Sequence, residues 1–420
     1  MSGGLRRLRI EHAQLQDTTS SRANTSLTCM ARPSKRRSAT IPVTLGARSN
    51  AEPKVQHARD VDGAATPRSA AVRPAQAAAA KVRGSIVSPV VDFLSVGGLS
   101  LLLMIPLILS GRRDLVLIGA GAQAWIATAI NMPHFMASYR LVYGSRAMMR
   151  AHKWAAFYVP GILVVYIVAA IFAAQTSQAM VFVLITVSSL YLAWHYTGQV
   201  WGMMASFAYL DGHAFDTIER RLIRASLRIL LVWHIAWFLY TQLRDPSRVT
   251  GIYYAASVAT GVAFVLGAVG LMHLRKRTGR RPPTLAIVAW LAIFTWYALM
   301  ARDPKALFWV QIAHAIQYLA FPVRMELNQA SSTPKTSTGT VAMHMGVYAI
   351  GLLVISFLVA QVVPISLMGV VGRMFGEEPA QAAPILILMF INIHHYFTDG
   401  VLWKISNPQV RKQLFAHVKA

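Results

Sequence analysis

The stretch WAAFYVPGILVVYIVAAIFAA, residues 154–174, decides what kind of protein this is. It contains no charged side chain, and an α-helix of about 20 such residues, rising ~1.5 Å per residue, covers the roughly 30 Å hydrocarbon core of a bilayer. Trp154 and Tyr158 stand at one end of the stretch, where amphipathic rings prefer the membrane interface. The stretch therefore predicts a membrane-spanning helix.

Similar apolar runs follow one another along most of the chain. Hydrophobic residues make up 55% and charged residues 14% of the 420 residues, whereas soluble domains carry roughly 25% charged residues. We place the spans near residues 90–110, 115–137, 154–174, 179–208, 223–242, 252–273, 284–300, 305–323, 341–364 and 382–403. The sequence thus predicts an all-α protein, a polytopic transmembrane helical bundle of about ten spans.

The two ends of the chain differ from its apolar middle. Residues 1–88 carry fifteen Lys or Arg against five Asp or Glu and no sustained apolar run, so we expect a disordered basic N-terminal tail. This tail is almost free of aromatic residues, so we expect no nucleic-acid partner. Residues 89–405 form the transmembrane helical domain, and residues 406–420 a short basic cytoplasmic tail. Met30 is an alternative start, which leaves open whether residues 1–88 belong to the mature protein.

Basic residues concentrate in alternate connections between the spans. The connections after spans two, four and six contain Arg140, Arg146, Arg150 and Lys153, then Arg220, Arg221 and Arg224, then Arg275, Lys276, Arg277, Arg280 and Arg281. The connection after span three contains no basic residue. Because cytoplasmic loops are enriched in Lys and Arg, we expect both termini in the cytoplasm. The lack of a secretory h-region makes the bacterial inner membrane the simplest location.

Polar side chains inside four of these spans are the strongest hint of function, because such groups are costly in hydrocarbon. In chain order they are His134 in span two, His195 and Gln199 in span four, His314 and Tyr318 in span eight, and Asn392, His394, His395, Tyr396 and Asp399 in span ten. In the predicted topology all four spans run inward, so these groups fall at similar depth in the cytoplasmic half of the membrane. A shared polar pocket explains this pattern, and hydrogen bonds between helices are the structural alternative.

Several imidazoles and a carboxylate suit iron or another transition metal. We predict His134, His195, His314, His394 and His395 as metal ligands. His395 and Asp399 are the predicted catalytic residues, and Asp399 acts as a ligand or orients one. Gln199, Tyr318, Asn392 and Tyr396 would contact the ligands or the substrate. With membrane lipids as surroundings, such a pocket fits a metal-dependent oxidoreductase acting on a lipid-soluble small molecule.

In composition and location the polar set resembles the sites of membrane desaturases and hydroxylases, which use HxxxH and HxxHH boxes at the cytoplasmic face. The corresponding positions here are His195 with Gln199, where Gln replaces the second His, and Ile391 with His394 and His395, where Ile stands first. The resemblance implies iron and oxygen-dependent chemistry on a lipid.

Residues 394–400, HHYFTDG, are similar to the HHxxxDG motif of acyl-CoA-dependent acyltransferases. In that family the second His is a general base and the Asp is structural, which would make His395 the base of a membrane acyltransferase. A proton-coupled transporter is a further alternative, because His and Asp at membrane depth also relay protons. The sequence leaves both alternatives open.

Overall fold

The computed structural model describes residues 84–112, 118–243, 245–332, 337–402 and 408–418, and every regular element in these ranges is helical. In chain order the helices are α1 (Pro89–Ser110), α2 (residues 120–143), α3 (Arg146–Ala151), α4 (Trp154–Ala173), α5 (Ala179–Leu210), α6 (Thr217–Gln242), α7 (Ser247–Thr278), α8 (Thr284–Arg302), α9 (Pro304–Ala330), α10 (Thr338–Phe375), α11 (Glu377–Leu402) and α12 (Pro408–Leu414). The predicted all-α class is confirmed for the described residues.

Nine of the described helices, all except α2, α3 and α12, are long and apolar enough to cross a membrane. The chain is therefore a multi-pass membrane protein with an α-helical bundle. The predicted second span corresponds to α2, which at ~1.5 Å per residue is about 36 Å long but carries Gln123, Asn131 and His134. The predicted ninth span is part of α10, a helix of 38 residues. Residues 1–83, most of the predicted basic tail, lie outside the described residues.

Helices α2 and α11 run in the same direction where they pack. The rings of His134 and His395 have centres 4.7 Å apart. One turn further along both helices, Ser138 Oγ lies 2.9 Å from Asp399 Oδ1. Because side chains four residues apart lie on one helical face, equal steps on both partners require parallel helices.

Helices α5 and α9 are aligned in the same way. His195 Nε2 lies 3.0 Å from His314 Nε2, and about one turn further on Gln199 Nε2 donates to Gln317 Oε1 at 3.0 Å. His314 also has its ring centre 5.4 Å from that of His134, which joins α9 to α2. Four helices that are distant in sequence thus present their polar faces to one another at one level.

A buried aromatic layer supports this four-helix contact. Tyr196 and Trp296 are fully buried, with ring centres 6.2 Å apart, and join α5 to α8. The Tyr196 ring also lies 4.5 Å from the His314 ring. Large rigid rings lose little rotamer freedom when they are packed, so they hold the helices around them in fixed register.

A buried ion-pair network joins α2, α9 and α10 beyond the polar faces described above. Glu326 of α9 is 3% exposed and accepts from Arg140 Nη2 of α2 at 2.7 Å. The same carboxylate lies 2.8 Å from His344 Nε2 of α10. A buried carboxylate requires such partners to offset its desolvation, so the network fixes α2, α9 and α10 relative to one another.

The start of α1 closes the bundle at the same end. Asp92 accepts hydrogen bonds from the backbone N–H groups of Ile86 and Val87, at 2.6 and 2.8 Å. Ile86 lies within the segment predicted as a basic tail, yet it is fully buried. At Gly97 the backbone leaves the helical conformation with φ 145°, and a Cβ there would lie 2.5 Å from that of Ala292. Only glycine allows both this conformation and this close approach.

Candidate metal centre

The four aligned helices bring four imidazoles and one carboxylate together. We call this set the histidine cluster: His134 of α2, His195 of α5, His314 of α9, and His395 and Asp399 of α11. Their exposed fractions are between 0% and 7%. One ligand atom each from His134, His314 and His395 lie within 4.8 Å of one another, and the same holds for His195, His395 and Asp399. Two potential ligand triads therefore share His395.

The distances within the cluster are compatible with coordination of a metal ion. His195 Nε2 lies 3.0 Å from His314 Nε2 and 3.7 Å from Asp399 Oδ2, and His395 Nε2 lies 3.3 Å from that same oxygen. An ion held ~2.0–2.1 Å from each ligand, with angles of about 90–110°, needs ligand atoms ~2.8–3.4 Å apart. Two of the three distances already fall in this range, and small side-chain adjustments would accommodate the third.

The hydroxyl of Ser138 determines which nitrogen of His395 is available for a metal. It lies 2.9 Å from Asp399 Oδ1, 2.6 Å from Tyr318 OH, 3.0 Å from His395 Nδ1 and 3.3 Å from the carbonyl oxygen of His134. A carboxylate only accepts, and it attracts a donor more strongly than a carbonyl, so the hydroxyl donates to Asp399. Tyr318 OH and His395 Nδ1 must then donate to Ser138. In the neutral imidazole this leaves a lone pair on His395 Nε2.

His134 is oriented by a backbone group in the same way. Its Nδ1 contacts the carbonyl oxygen of Asn131, and because a carbonyl only accepts, Nδ1 carries the hydrogen and Nε2 carries the lone pair. Three nitrogens of the cluster, those of His134 Nε2, His314 Nδ1 and His395 Nε2, are buried and have no hydrogen-bond partner among the described residues. Buried polar atoms are nearly always satisfied in native proteins, and a metal ion bound by the cluster would satisfy the lone pairs of His134 Nε2 and His395 Nε2.

His394, predicted as a metal ligand, does not join the cluster. Its Nε2 lies 3.0 Å from the carbonyl oxygen of Ala155 and 3.2 Å from Tyr143 OH, and its ring stacks on Tyr139. Neighbouring residues of an α-helix point about 100° apart, so His394 and His395 cannot both face the same centre. We therefore leave His394 out of the proposed ligand set.

The four residues predicted to surround the ligands all lie at or beside the histidine cluster, but they make different kinds of contact. Tyr318 bonds to Ser138, and the Tyr396 ring lies 4.7 Å from the His195 ring. Gln199 donates to the carbonyl oxygen of His314 at 3.2 Å, which helps to position the helix that carries His314. Asn392 is 9% exposed, one turn before Tyr396 on α11.

Sequence reasoning missed Ser138 and Gln317. Ser138 follows His134 by four residues, and this spacing on one helical face was the available signal. Gln317 donates to the carbonyl oxygen of Val96 at 2.6 Å, a backbone group beside the non-helical Gly97. Serine and glutamine are common in membrane helices as interhelical contacts, so neither stood out without its neighbours.

A second group of potential ligands, Asp216, Glu219 and His273, has a different role. Asp216 and Glu219 form a capping box at the start of α6. Arg277 donates to both Glu219 oxygens, at 2.8 and 2.9 Å, and lies 3.5 Å from Asp216. A guanidinium already neutralises these carboxylates, so this group joins α6 to α7 and leaves no place for a cation.

A cavity of about 280 Å³ reaches the histidine cluster from the side of α5. Its lining includes Trp194, His195, Gly198, Gln199, Trp201, Gly202, Ser206, Arg224, Tyr318, Asp399 and Leu414. Trp194 is 53% exposed on the outer surface of the bundle. The cluster is therefore accessible to a small molecule although its ligand atoms are buried.

Searches against protein-family models, curated proteins and solved structures found no match to this chain. Inferences about its function therefore depend on the geometry of the site.

Proposed function

We propose that this protein is a membrane-embedded metal-dependent oxidoreductase that acts on a lipid-soluble substrate, with chemistry like that of the membrane hydroxylases and desaturases. The proposed ligands are His134, His195, His314, His395 and Asp399. One observation carries the proposal: buried imidazoles from four helices converge with a carboxylate, and three of their nitrogens have no hydrogen-bond partner among the described residues.

The donor set favours iron. His195, His395 and Asp399 provide two imidazoles and one carboxylate, the set typical of non-haem iron(II) oxygenases. Iron would supply oxidation by dioxygen, with one oxygen atom leaving as water and an external two-electron donor completing the balance. The protein's own contribution is to hold the ligands, to orient His395 through Ser138, and to exclude bulk water from the cluster.

The surroundings of the cluster are consistent with a lipid-soluble substrate. The cavity reaches His195 and Asp399, and its Trp194 is exposed on the apolar surface of the bundle. A substrate dissolved in the membrane would reach the cluster without crossing water. We expect the protein to reside in a cell membrane, and in the simplest case in the bacterial inner membrane.

The two alternative functions fit the geometry less well. A general base for acyl transfer needs a nitrogen free to take a proton from the substrate. His395 is fully buried and is not among the described residues that line the cavity, so a substrate bound there would not reach its nitrogens. A proton-coupled transporter needs a polar path through the bilayer, whereas the cluster lies at one level of the four helices.

Metal analysis of the purified protein tests the proposal. Wild-type protein should contain near-stoichiometric transition metal, and His195→Ala, His314→Ala and His395→Ala should lose most of it, because each removes a ligand. His234→Ala is the matched control: His234 is also buried, at 1% exposure, but its Nδ1 pairs with Tyr297 OH outside the cluster. This variant should retain the metal.

Folding of each variant is checked by size-exclusion chromatography, so that loss of metal is distinguished from loss of structure. Well-folded wild-type protein that binds no iron, zinc, copper or manganese, even after metal is added, would refute the proposal. Equal metal loss in His234→Ala and His395→Ala would also count against it.

A further inference from the structure

The cavity beside the histidine cluster is elongated along α5. Its lining on that helix extends from Trp194 to Ser206, about 18 Å at ~1.5 Å per residue. At one end it reaches His195 and Asp399, and further along it meets Arg224 of α6 and Leu414 of α12. Its shape is therefore that of a trough leading away from the cluster.

The walls of this trough are smooth and largely apolar. Gly198 and Gly202 of α5 and Gly400 of α11 line it, and a Cβ added at any of the three would meet no neighbouring atom within 4 Å. The absence of these side chains is what leaves the space open. Trp201 and Phe321 add apolar surface, so the trough suits a flexible hydrocarbon chain.

Arg224 is the cation that the described residues contribute to the trough, away from the cluster. The guanidinium of Arg224 lies 5.5 Å from the centre of the Trp201 ring, and both residues face the cavity. In the described parts of the chain no carboxylate forms an ion pair with Arg224. An arginine held over an aromatic ring offers a planar set of donors that matches a carboxylate or phosphate.

We propose that the trough binds an anionic single-chain amphiphile, with its carboxylate or phosphate head at Arg224 and its hydrocarbon chain along Gly202 and Gly198 toward the histidine cluster. Trp201 follows His195 by six residues, about 9 Å along the helix. The chain would therefore meet the cluster several carbons from its charged head. Turnover of this ligand rests on the proposed function, whereas its binding rests on the cavity alone.

Equilibrium binding of radiolabelled oleate to the purified protein tests the inference, with oleyl phosphate and oleyl alcohol as competitors. Wild-type protein should bind oleate and oleyl phosphate more tightly than the uncharged alcohol. Arg224→Gln should weaken oleate binding about tenfold, because a charge-assisted bond is lost, and leave competition by the alcohol unchanged. Gly202→Leu should weaken binding of all three ligands, because its side chain fills the trough.

Arg228→Gln is the matched control, since Arg228 is also exposed on α6, one turn from Arg224, but does not line the cavity. Equal weakening by Arg224→Gln and Arg228→Gln would reveal general surface attraction and overturn the inference, as would equal affinities for oleate and oleyl alcohol. The metal content of Arg224→Gln should equal that of wild type. Absence of metal in all variants would refute the proposed function, while selective oleate binding would still support the trough as an anionic-lipid site.

Discussion

At the scale of single residues, the hydroxyl of Ser138 has the widest influence on the proposed metal centre. Its single hydrogen is donated to Asp399, so toward Tyr318 and His395 the Ser138 oxygen can only accept. It thereby selects the tautomer of a ligand and holds the carboxylate that lies beside it. Hydrogen bonds of this kind tune ligands without touching the metal.

Ser138→Ala should therefore lower metal affinity by about 10–100-fold while the protein remains folded. The physical reason is that His395 loses its fixed tautomer and Asp399 loses a donor. Competition with a chromophoric chelator measures the affinity. Ser356→Ala is the control, because Ser356 is also fully buried but lies on α10 and its hydroxyl has no partner among the described residues. Unchanged affinity in Ser138→Ala would show that the hydroxyl does not position the ligands.

At the scale of helices, the contact of a buried tryptophan of α8 with α7 depends on a small residue. A Cβ added at Gly267 of α7 would lie 2.5 Å from three ring atoms of Trp290 of α8. Trp290 is 3% exposed, and its Nε1 donates to Ser226 Oγ at 3.2 Å, so the ring cannot move without losing a bond. The aromatic ring thus packs against the bare backbone of α7, as small residues allow in membrane helices.

Gly267→Ala should destabilise the protein by about 1–3 kcal/mol, the usual cost of overpacking a dense core. Thermal unfolding in detergent, followed by intrinsic tryptophan fluorescence, measures the change. Gly261→Ala on the same helix is the matched control, because a Cβ there meets nothing within 4 Å. It should leave the melting temperature unchanged or raise it slightly. Equal melting temperatures for the two variants would contradict the packing argument.

At the scale of the whole molecule, the charge pattern predicts which connections face the cytoplasm. The connection between α7 and α8 contains Arg280 and Arg281, whereas the connection between α4 and α5 contains no basic residue. The chain's single cysteine, Cys29, can be replaced by Ser to give a background without thiols. Individual connections can then be labelled one at a time.

In intact cells, a membrane-impermeant maleimide should label Gln175→Cys, between α4 and α5, and should label Arg281→Cys only after the cells are opened. Both positions are exposed, so accessibility within the protein does not limit the reaction. The positive-inside rule predicts this labelling pattern, because basic loops stay in the cytoplasm. Labelling of Arg281→Cys in intact cells would reverse the predicted orientation of the bundle, and the reversal would place the trough on the outer side.

The helices could be predicted from the sequence because each segment that crosses a bilayer must be apolar along its own length. Each spanning segment must satisfy its own backbone hydrogen bonds, so length and apolar content identify it without knowledge of its neighbours. α2 shows where this signal weakens. It carries Asn131 and His134 of the proposed site region, and these same polar groups exclude it from the nine strongly apolar helices.

The candidate site could be predicted only in part. His134, His195, His314, His395 and Asp399 were identified because ionisable groups are rare in apolar helices. His394 was predicted together with His395 because the sequence shows that two His are adjacent but not how α11 is rotated against α2. Ser138 was missed because a single serine four residues after His134 does not indicate a site until its hydrogen-bond partners are known.

The sequence by itself determined that this chain is a multi-pass membrane protein and which few polar groups its helices bury. Only the tertiary structure decided which of those groups meet, which nitrogen of His134 and of His395 carries the lone pair, and that a trough lies beside them. The reason is physical. Burial in a bilayer is decided segment by segment, whereas contacts between side chains depend on the rotation and register of helices that are far apart in the chain.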